Sequence, residues 1–158
     1  DPRVETVFID IENIFSGSLT EYVQRIARVL ISGKHCIVHT CPDSEARHHI
    51  PMLCAHLQMS RAQLGETICQ FLGQLTRQVL HEVSPGALYL SGGDVAMAIA
   101  DALEATGFRI TDRVAQCVPY GHLAGSYWQR PVMTKAGGFG DETTLRQVLN
   151  YIEEKMSE

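Results

Sequence analysis

Apolar residues recur along this chain in two rhythms, and where the rhythm changes the sequence places glycine, proline or a capping residue. Glu5 to Ile11 (ETVFIDI) is rich in β-branched and apolar residues with widely spaced polar positions, which predicts a strand. From Leu19 to Ser32 the apolar positions Leu19, Tyr22, Val23, Ile26, Val29 and Leu30 follow helical spacing, with Ser18 to cap the start and Gly33 to end it. His35 to Thr40 is a second short apolar run, closed by Cys41-Pro42-Asp43-Ser44, and strand, helix and strand in this order predict a right-handed βαβ unit. Residues 45–58 keep no firm period and are expected to form loop with some helix. Ser60 then opens a long helix whose inner face carries Leu64, Ile68, Phe71, Leu72, Leu75, Val79 and Leu80, and Pro85-Gly86 stops it.

In the second half Ala87 to Leu90 (ALYL) predicts a strand that runs into Ser91-Gly92-Gly93-Asp94. Val95 to Leu103 follows as an alanine-rich helix, apolar almost all round and so expected to be buried against a sheet. Gly107–Ile110 and Arg113–Val118 read as short strands of a hairpin turning at Thr111-Asp112, and Pro119 to Gly125 reads as a loop. Pro131 to Thr134 is the last strand, and Asp141 to Lys155 the closing helix with Leu145, Val148, Leu149 and Ile152 on one face. The expected architecture is a three-layer α/β/α domain, Rossmann-like, with a mainly parallel sheet of about five strands. The strands from Ala87 and Pro131 should end at the same edge.

Composition narrows the class. A chain of 158 residues is expected to be one domain and to bury about two-thirds of the surface its unfolded form exposes. Its five cysteines are an odd number without a Cys-x-x-Cys pair, and no secretory signal or bilayer-length apolar run accompanies them, so a reduced, cytoplasmic setting is expected. The net charge of -5 and the lack of a lysine or arginine cluster argue against nucleic acid as a partner, and no membrane-binding face is evident. Asp1-Pro2-Arg3 carries no methionine and no capping signal before the first strand, which suggests a chain cut from something longer.

The candidate chemistry lies in two strand-to-helix turns of one plan. In Thr134-Lys135-Ala136-Gly137-Gly138-Phe139-Gly140-Asp141-Glu142, three glycines within four residues follow a lysine and precede a helix. Glycine lets backbone approach a ligand closely, and a helix N-terminus offers N–H groups and partial positive charge to phosphate. Ser91-Gly92-Gly93-Asp94 repeats the plan, so that Gly92, Gly93 and the Val95 N–H could cradle phosphate oxygens opposite Gly137, Gly138 and Gly140. Asp94 suits either a water of Mg²⁺ or the cap of the helix behind it. Lys135 suits either charge stabilisation or a structural ion pair. Neither turn matches Gly-x-x-x-x-Gly-Lys-Ser/Thr or Gly-x-Gly-x-x-Gly, and the residues by themselves specify a phosphate-bearing ligand, with a nucleotide as the leading case.

Ser91-Gly92-Gly93-Asp94-Val95-Ala96, Val118-Pro119-Tyr120-Gly121 with Gly125, and Thr134 to Glu142, in this order and spacing, resemble the C-terminal nucleotide-binding domain of the four-carbon acid sugar kinases. The resemblance runs over nearly the whole chain and is weakest between residues 41 and 60. It implies an ATP-dependent phosphorylation of a threonate-, erythronate- or 3-oxo-tetronate-like acid, with this domain holding ATP, and Mg²⁺ is expected beside it through Asp94. Nucleotide contacts are implied at Gly92, Gly93, Asp94, Val95 and Gly140, with Gly137 and Gly138 alongside, and a homodimer is admitted as a further assembly.

Two features depart from that family. The Asp-Asp-x-Thr-Gly-type motif of its N-terminal, acid-binding domain is absent, so no catalytic base is assigned here and the isolated chain is expected to be inactive. Ser16-Gly17-Ser18 is out of position for the family's Ser-Gly-Ser loop and is assigned to capping. Among the seven histidines, Cys36 and His39 fall on opposite strand faces, His48-His49 lack a partner pair, and Pro85 replaces the second histidine of a His81-Glu82 zinc helix. A cysteine nucleophile finds no sequence-evident base. The competing class is a module that binds nucleotide, or a partner, without chemistry.

Overall fold

In the computed structural model residues 2–16, 19–40, 50–115, 118–135 and 144–156 are described, and the chain divides into two units, Asp1–Val83 and Ser84–Glu158. In the first, β1 (Val4–Phe8) and β2 (His35–His39) pair in parallel from Val4↔His35 to Phe8↔His39, with α1 (Leu19–Ile31) between them in sequence. This is the expected strand, helix, strand unit. The pair is extended at its carboxyl end by the Ile9 N–H, which donates to the His39 carbonyl at 2.9 Å. A 3₁₀ turn (Ile11–Ser16) links β1 to α1.

The helical rhythm of α1 is expressed as burial of Tyr22, Val23, Ile26, Ala27 and Val29. Those residues, except Ala27, pack with Val7, Ile9, Leu75 and Val79 into the core of this unit. Gly33 ends the helix at a φ of 87°, its N–H donating to the Leu30 carbonyl at 3.1 Å, because a side chain is disfavoured in that left-handed region. After α2 (Ile50–Leu57), Ser60 opens α3 (Arg61–Glu82) with a reciprocal capping box. The Gln63 N–H donates to Ser60 Oγ at 3.1 Å, and the Ser60 N–H to Gln63 Oε1 at 2.9 Å.

The second unit holds β3 (Leu88–Ser91), α4 (Gly93–Ala102), β4 (Gly107–Ala115), β5 (Val118–Ala124), β6 (Val132–Lys135) and α5 (Thr144–Met156). Its four strands lie in the order β3-β6-β5-β4. Only β3 and β6 are parallel, whereas β5 runs antiparallel to both β6 and β4. The described sheets are therefore a parallel pair and a mixed four-stranded sheet, which corrects the expectation of a mainly parallel one.

Three local expectations change for physical reasons. Thr111 and Asp112 do not turn a hairpin but lie inside β4, where the pairing register shifts between Ile110 and Asp112. Pro119 to Ala124 is not loop but most of β5, hydrogen-bonded on both sides despite a proline and a glycine that suggest irregularity. Gly121 explains why the glycine is needed. A Cβ there would collide with the Arg109 carbonyl oxygen and come within 2.8 Å of its carbonyl carbon and 2.9 Å of Ile110 Cα. Finally, α4 is not buried all round: Ile99 is its buried residue, Leu103 follows at its C-cap, and Met97 is 67% exposed.

Val118, Met133 and Val148 are fully buried and join β5, β6 and α5, with Tyr89, Val114, Tyr120, Tyr151 and Ile152 packed around them. Each such side chain contributes about 1.5–3 kcal/mol relative to exposure. Leu145, expected on the inner face of α5, is instead among the exposed hydrophobics. Beyond β5, the Ser126 hydroxyl donates to the Leu103 carbonyl at 2.7 Å and accepts from the Trp128 N–H at 3.0 Å, which fixes the link to β6 onto the end of α4.

Replacing Gly121 by alanine should lower stability by about 2 kcal/mol or more, because backbone on the neighbouring strand must yield. Urea unfolding of Gly121→Ala checks this, and an unchanged midpoint would mean that the β4–β5 register is not the one described.

Candidate functional site

The carboxyl ends of β3 and β6 coincide. Their register runs Leu88↔Val132 to Ser91↔Lys135, and it continues through the Gly92 N–H, which donates to the Lys135 carbonyl at 2.7 Å. The expectation that these strands end at one edge is met. Because β5 is antiparallel to β6 with Tyr120↔Met133, the base of the β4–β5 hairpin at Ala115 and Val118 stands at that edge too. Gly125 follows the far end of β5 and is therefore separated from the edge. Its φ of 79°, and the 2.7 Å that would separate a Cβ from Thr106 Oγ1, mark it as a structural turn.

Gly92 turns the chain from β3 into α4. It is the N-cap, with φ 100° and ψ 134°, and its carbonyl accepts the first helical bond, from the Ala96 N–H at 3.0 Å. The N–H groups of Gly93, Asp94 and Val95 thus precede the first intrahelical bond and point out of the positive end of the helix. The Gly92 N–H is committed to Lys135, so its contribution to the edge is backbone conformation. Asp94 is an exposed residue of the first turn, and the cap role considered for it belongs to Gly92. Val95 is half-buried.

Lys135 is half-buried, with its carbonyl fixed by Gly92. Gly137, Gly138 and Gly140, together with Asp141 and Glu142, lie outside the described residues. The relation of Gly93 to Gly138 is therefore known only as far as Lys135, which stands beside Gly92.

Elsewhere the titratable groups have structural surroundings. Asp112 accepts from the Tyr151 hydroxyl at 2.7 Å and from the Arg113 N–H at 2.7 Å, and these bonds, with Lys155 nearby, hold its carboxyl below the usual range. Lys155 Nζ lies 5.5 Å from the Tyr151 ring centroid and 6.0 Å from that of Tyr120. Burial, and then the charge of Glu5, push the Cys36 thiol up to about 11, which leaves it protonated and unreactive at neutral pH. Among the described residues no three of His, Cys, Asp and Glu come together as a metal site, and no helix is long and apolar enough to cross a membrane.

The family of the nucleotide-binding C-terminal domain matches residues 1–145. The chain belongs to it. Relatives of this nucleotide-binding C-terminal domain include the D-threonate kinase of Salmonella typhimurium, 41% identical over 157 residues, covering 96% of this chain and 37% of the relative. The D-erythronate kinase of Heliobacterium modesticaldum is 35% identical over 103 residues, covering 63% of this chain and 23% of the relative. These names bear out the expected membership of the four-carbon acid sugar kinase family, and the chain spans between about a quarter and little more than a third of the length of these curated relatives. A crystal structure of a domain of unknown function from Bordetella bronchiseptica, a domain-swapped dimer with bound citrate, shares the fold. Its TM-score is 0.74 at 21% identity, over 96% of this chain and 35% of that one.

Sequence reasoning found both arms of the edge but not what ties them, since a backbone hydrogen bond between Gly92 and Lys135 leaves no trace in residue type. The tie depends on a conformation that only glycine adopts readily. Gly92→Ala should cost this domain about 1–3 kcal/mol, whereas Gly93→Ala, with nothing within 4 Å of the new Cβ, should stay within about 0.5 kcal/mol of the parent. Denaturant unfolding of the two variants checks the contrast, and equal stabilities would contradict the conformation assigned to Gly92.

Proposed function

We propose that this chain is the ATP-holding domain of a kinase that transfers phosphate to a hydroxyl of a four-carbon sugar acid of the threonate, erythronate or 3-oxo-tetronate type. The observation that carries this reading is the shared edge, where the N–H groups of Gly93, Asp94 and Val95 and the residue Lys135 stand at the ends of two parallel neighbours. Polyphosphate oxygens would accept from those N–H groups, with Gly137, Gly138 and Gly140 forming the opposing wall and Gly92 and Gly140 allowing close backbone approach. The names of the relatives support the acceptor class.

Phosphoryl transfer requires position and charge stabilisation more than covalent help from the protein. Lys135 would offset charge on the transferring group. The acid and the carboxylate that accepts its hydroxyl proton would come from an N-terminal domain outside this chain, which explains why no base is assigned among these residues and why the isolated chain would be inactive. Asp94 fits Mg²⁺: an exposed carboxylate beside phosphate-binding N–H groups is what a cation needs when substrate phosphates and waters supply its other ligands. Mg²⁺, when bound, neutralises phosphate charge in the transfer.

Further parts of the reading extend past the site. The layering is three-layer α/β/α and Rossmann-like, supported by α5 on the Met133 face of the mixed sheet and α4 packed on β3 and β6. The setting is cytoplasmic, consistent with a protonated Cys36 and with the absence of a disulfide at Cys36 and Cys54. A homodimer accords with the dimeric relative of the same fold.

Titration calorimetry tests the nucleotide and metal roles together. ATP should bind the isolated chain weakly and more tightly with Mg²⁺, and Asp94→Asn should remove the gain from Mg²⁺. Equal affinity with and without the cation would exclude the metal role of Asp94. In a kinase containing this domain, Lys135→Ala should retain most nucleotide binding and lower kcat; unchanged kcat with a lowered Tm would make the lysine a structural partner.

A further inference from the structure

Three serines of this chain have hydroxyls committed to the fold. Ser32 donates to the Val29 carbonyl at 2.6 Å, Ser60 accepts from the Gln63 N–H at 3.1 Å as the cap of α3, and Ser126 donates to the Leu103 carbonyl at 2.7 Å. Ser91 differs from them. It stands next to the start of α4, where serine is a favoured cap, yet the cap is Gly92 and no side chain bonds to the first turn. Ser91 is exposed, and its hydroxyl has no hydrogen-bond partner among the described residues.

The direction of its side chain follows from the sheet. Successive residues of a strand alternate between the two faces, and residues paired directly in a parallel ladder share one. Tyr89 pairs with Met133 and packs against the cluster of Met133, Val118 and Val148, on the face that α5 covers. Two positions further on, Ser91 pairs with Lys135, so both side chains leave the sheet on that same face. Leu90, between Tyr89 and Ser91, is 6% exposed and turns to the other face. A hydroxyl and an ammonium therefore stand on one face, at the carboxyl ends of two parallel neighbours and one residue from the Gly92 cap.

The two groups suit the same kind of atom. An ammonium supplies charge, a hydroxyl supplies one directed donor, and a phosphate oxygen accepts from both. The structural uses of a serine at this position, a helix cap or a hydrogen bond within the fold, are not exercised among the described residues. We propose that Ser91 is a phosphate-binding residue of the Gly92 edge, its hydroxyl donating to a phosphate oxygen that also faces Lys135. The assignment rests on the phosphate reading of that edge given above. It adds a donor that, unlike the N–H groups of Gly93, Asp94 and Val95, can be removed without touching the backbone of the turn.

Inorganic tripolyphosphate with Mg²⁺, titrated into the 158-residue chain and followed at the amides of Gly93, Asp94 and Val95 by NMR, tests the assignment. Ser91→Ala should weaken binding by about tenfold. Ser91→Thr, which keeps a hydroxyl on a residue suited to a strand, should stay within about threefold of the parent. Without ligand the three proteins should share one Tm, because the hydroxyl supports nothing in the fold. Equal binding by the parent and Ser91→Ala would overturn the assignment and leave the phosphate reading standing. A threonine variant as weak as the alanine one, or a loss of affinity that follows a lowered Tm, would also overturn it. Amides of Gly93 to Val95 that do not respond in the parent would overturn the phosphate reading, and the role of Ser91 with it.

Discussion

The hydrogen bond from the Gly92 N–H to the Lys135 carbonyl, 2.7 Å long, is the point on which the candidate site depends. It continues the parallel β3–β6 ladder one residue past the last strand pair, and it does so through a residue held at φ 100°. From that position the chain turns directly into α4, so the helix begins at the sheet edge with its first N–H groups outward. Without the tie the same glycines would be an ordinary turn. With it, a helix N-terminus and a lysine-bearing strand end are held in one place by backbone geometry, which side-chain motion does not disturb.

The rest of the second unit serves that edge. β5 lies between β6 and β4, and Val118 and Met133 are sealed against Val148 of α5, so β6 is held both by its neighbours and by the helix that follows it. Gly121 lets β5 approach Arg109 more closely than any side chain permits. At the opposite end, Ser126 and Thr106 tie the turn at Gly125 to Leu103 and Ala124, so that end is committed to its own hydrogen bonds.

How much of this the sequence discloses depends on whether a feature is written in side chains. Amphipathic rhythm located α1 and α3 closely, and the Ser60 and Gly33 signals marked their ends, because caps and left-handed turns require particular residues. That β3 and β6 end at one edge was anticipated from two similar strand-to-helix turns. Strand direction elsewhere was not: β5 has Pro119 as its second residue and contains Gly121, and composition alone made Pro119 to Gly125 a loop. Its identity as a strand comes from partners on both sides, a tertiary effect that local propensity does not record. The exposed face of α4 was missed for a related reason, since small apolar residues such as Ala96 and Ala98 are compatible with either burial or partial exposure. Residues 136–143 carry the other half of the expected site and lie outside the described residues, so their part in it rests on sequence.

The central claim is that phosphate lies at the edge marked by Gly92 and not at the far end of the same sheet. Replacing Mg²⁺ by Mn²⁺ in a complex with ATP and recording the amide signals of the chain tests it directly, because a paramagnetic ion broadens what lies near it. Gly125 lies seven positions along the chain from Val118, a span of roughly 23 Å at about 3.3 Å per residue. The account predicts that the amides of Gly93, Asp94 and Val95 broaden while that of Gly125 stays sharp. Broadening centred on Gly125, with Gly93 to Val95 untouched, would contradict it.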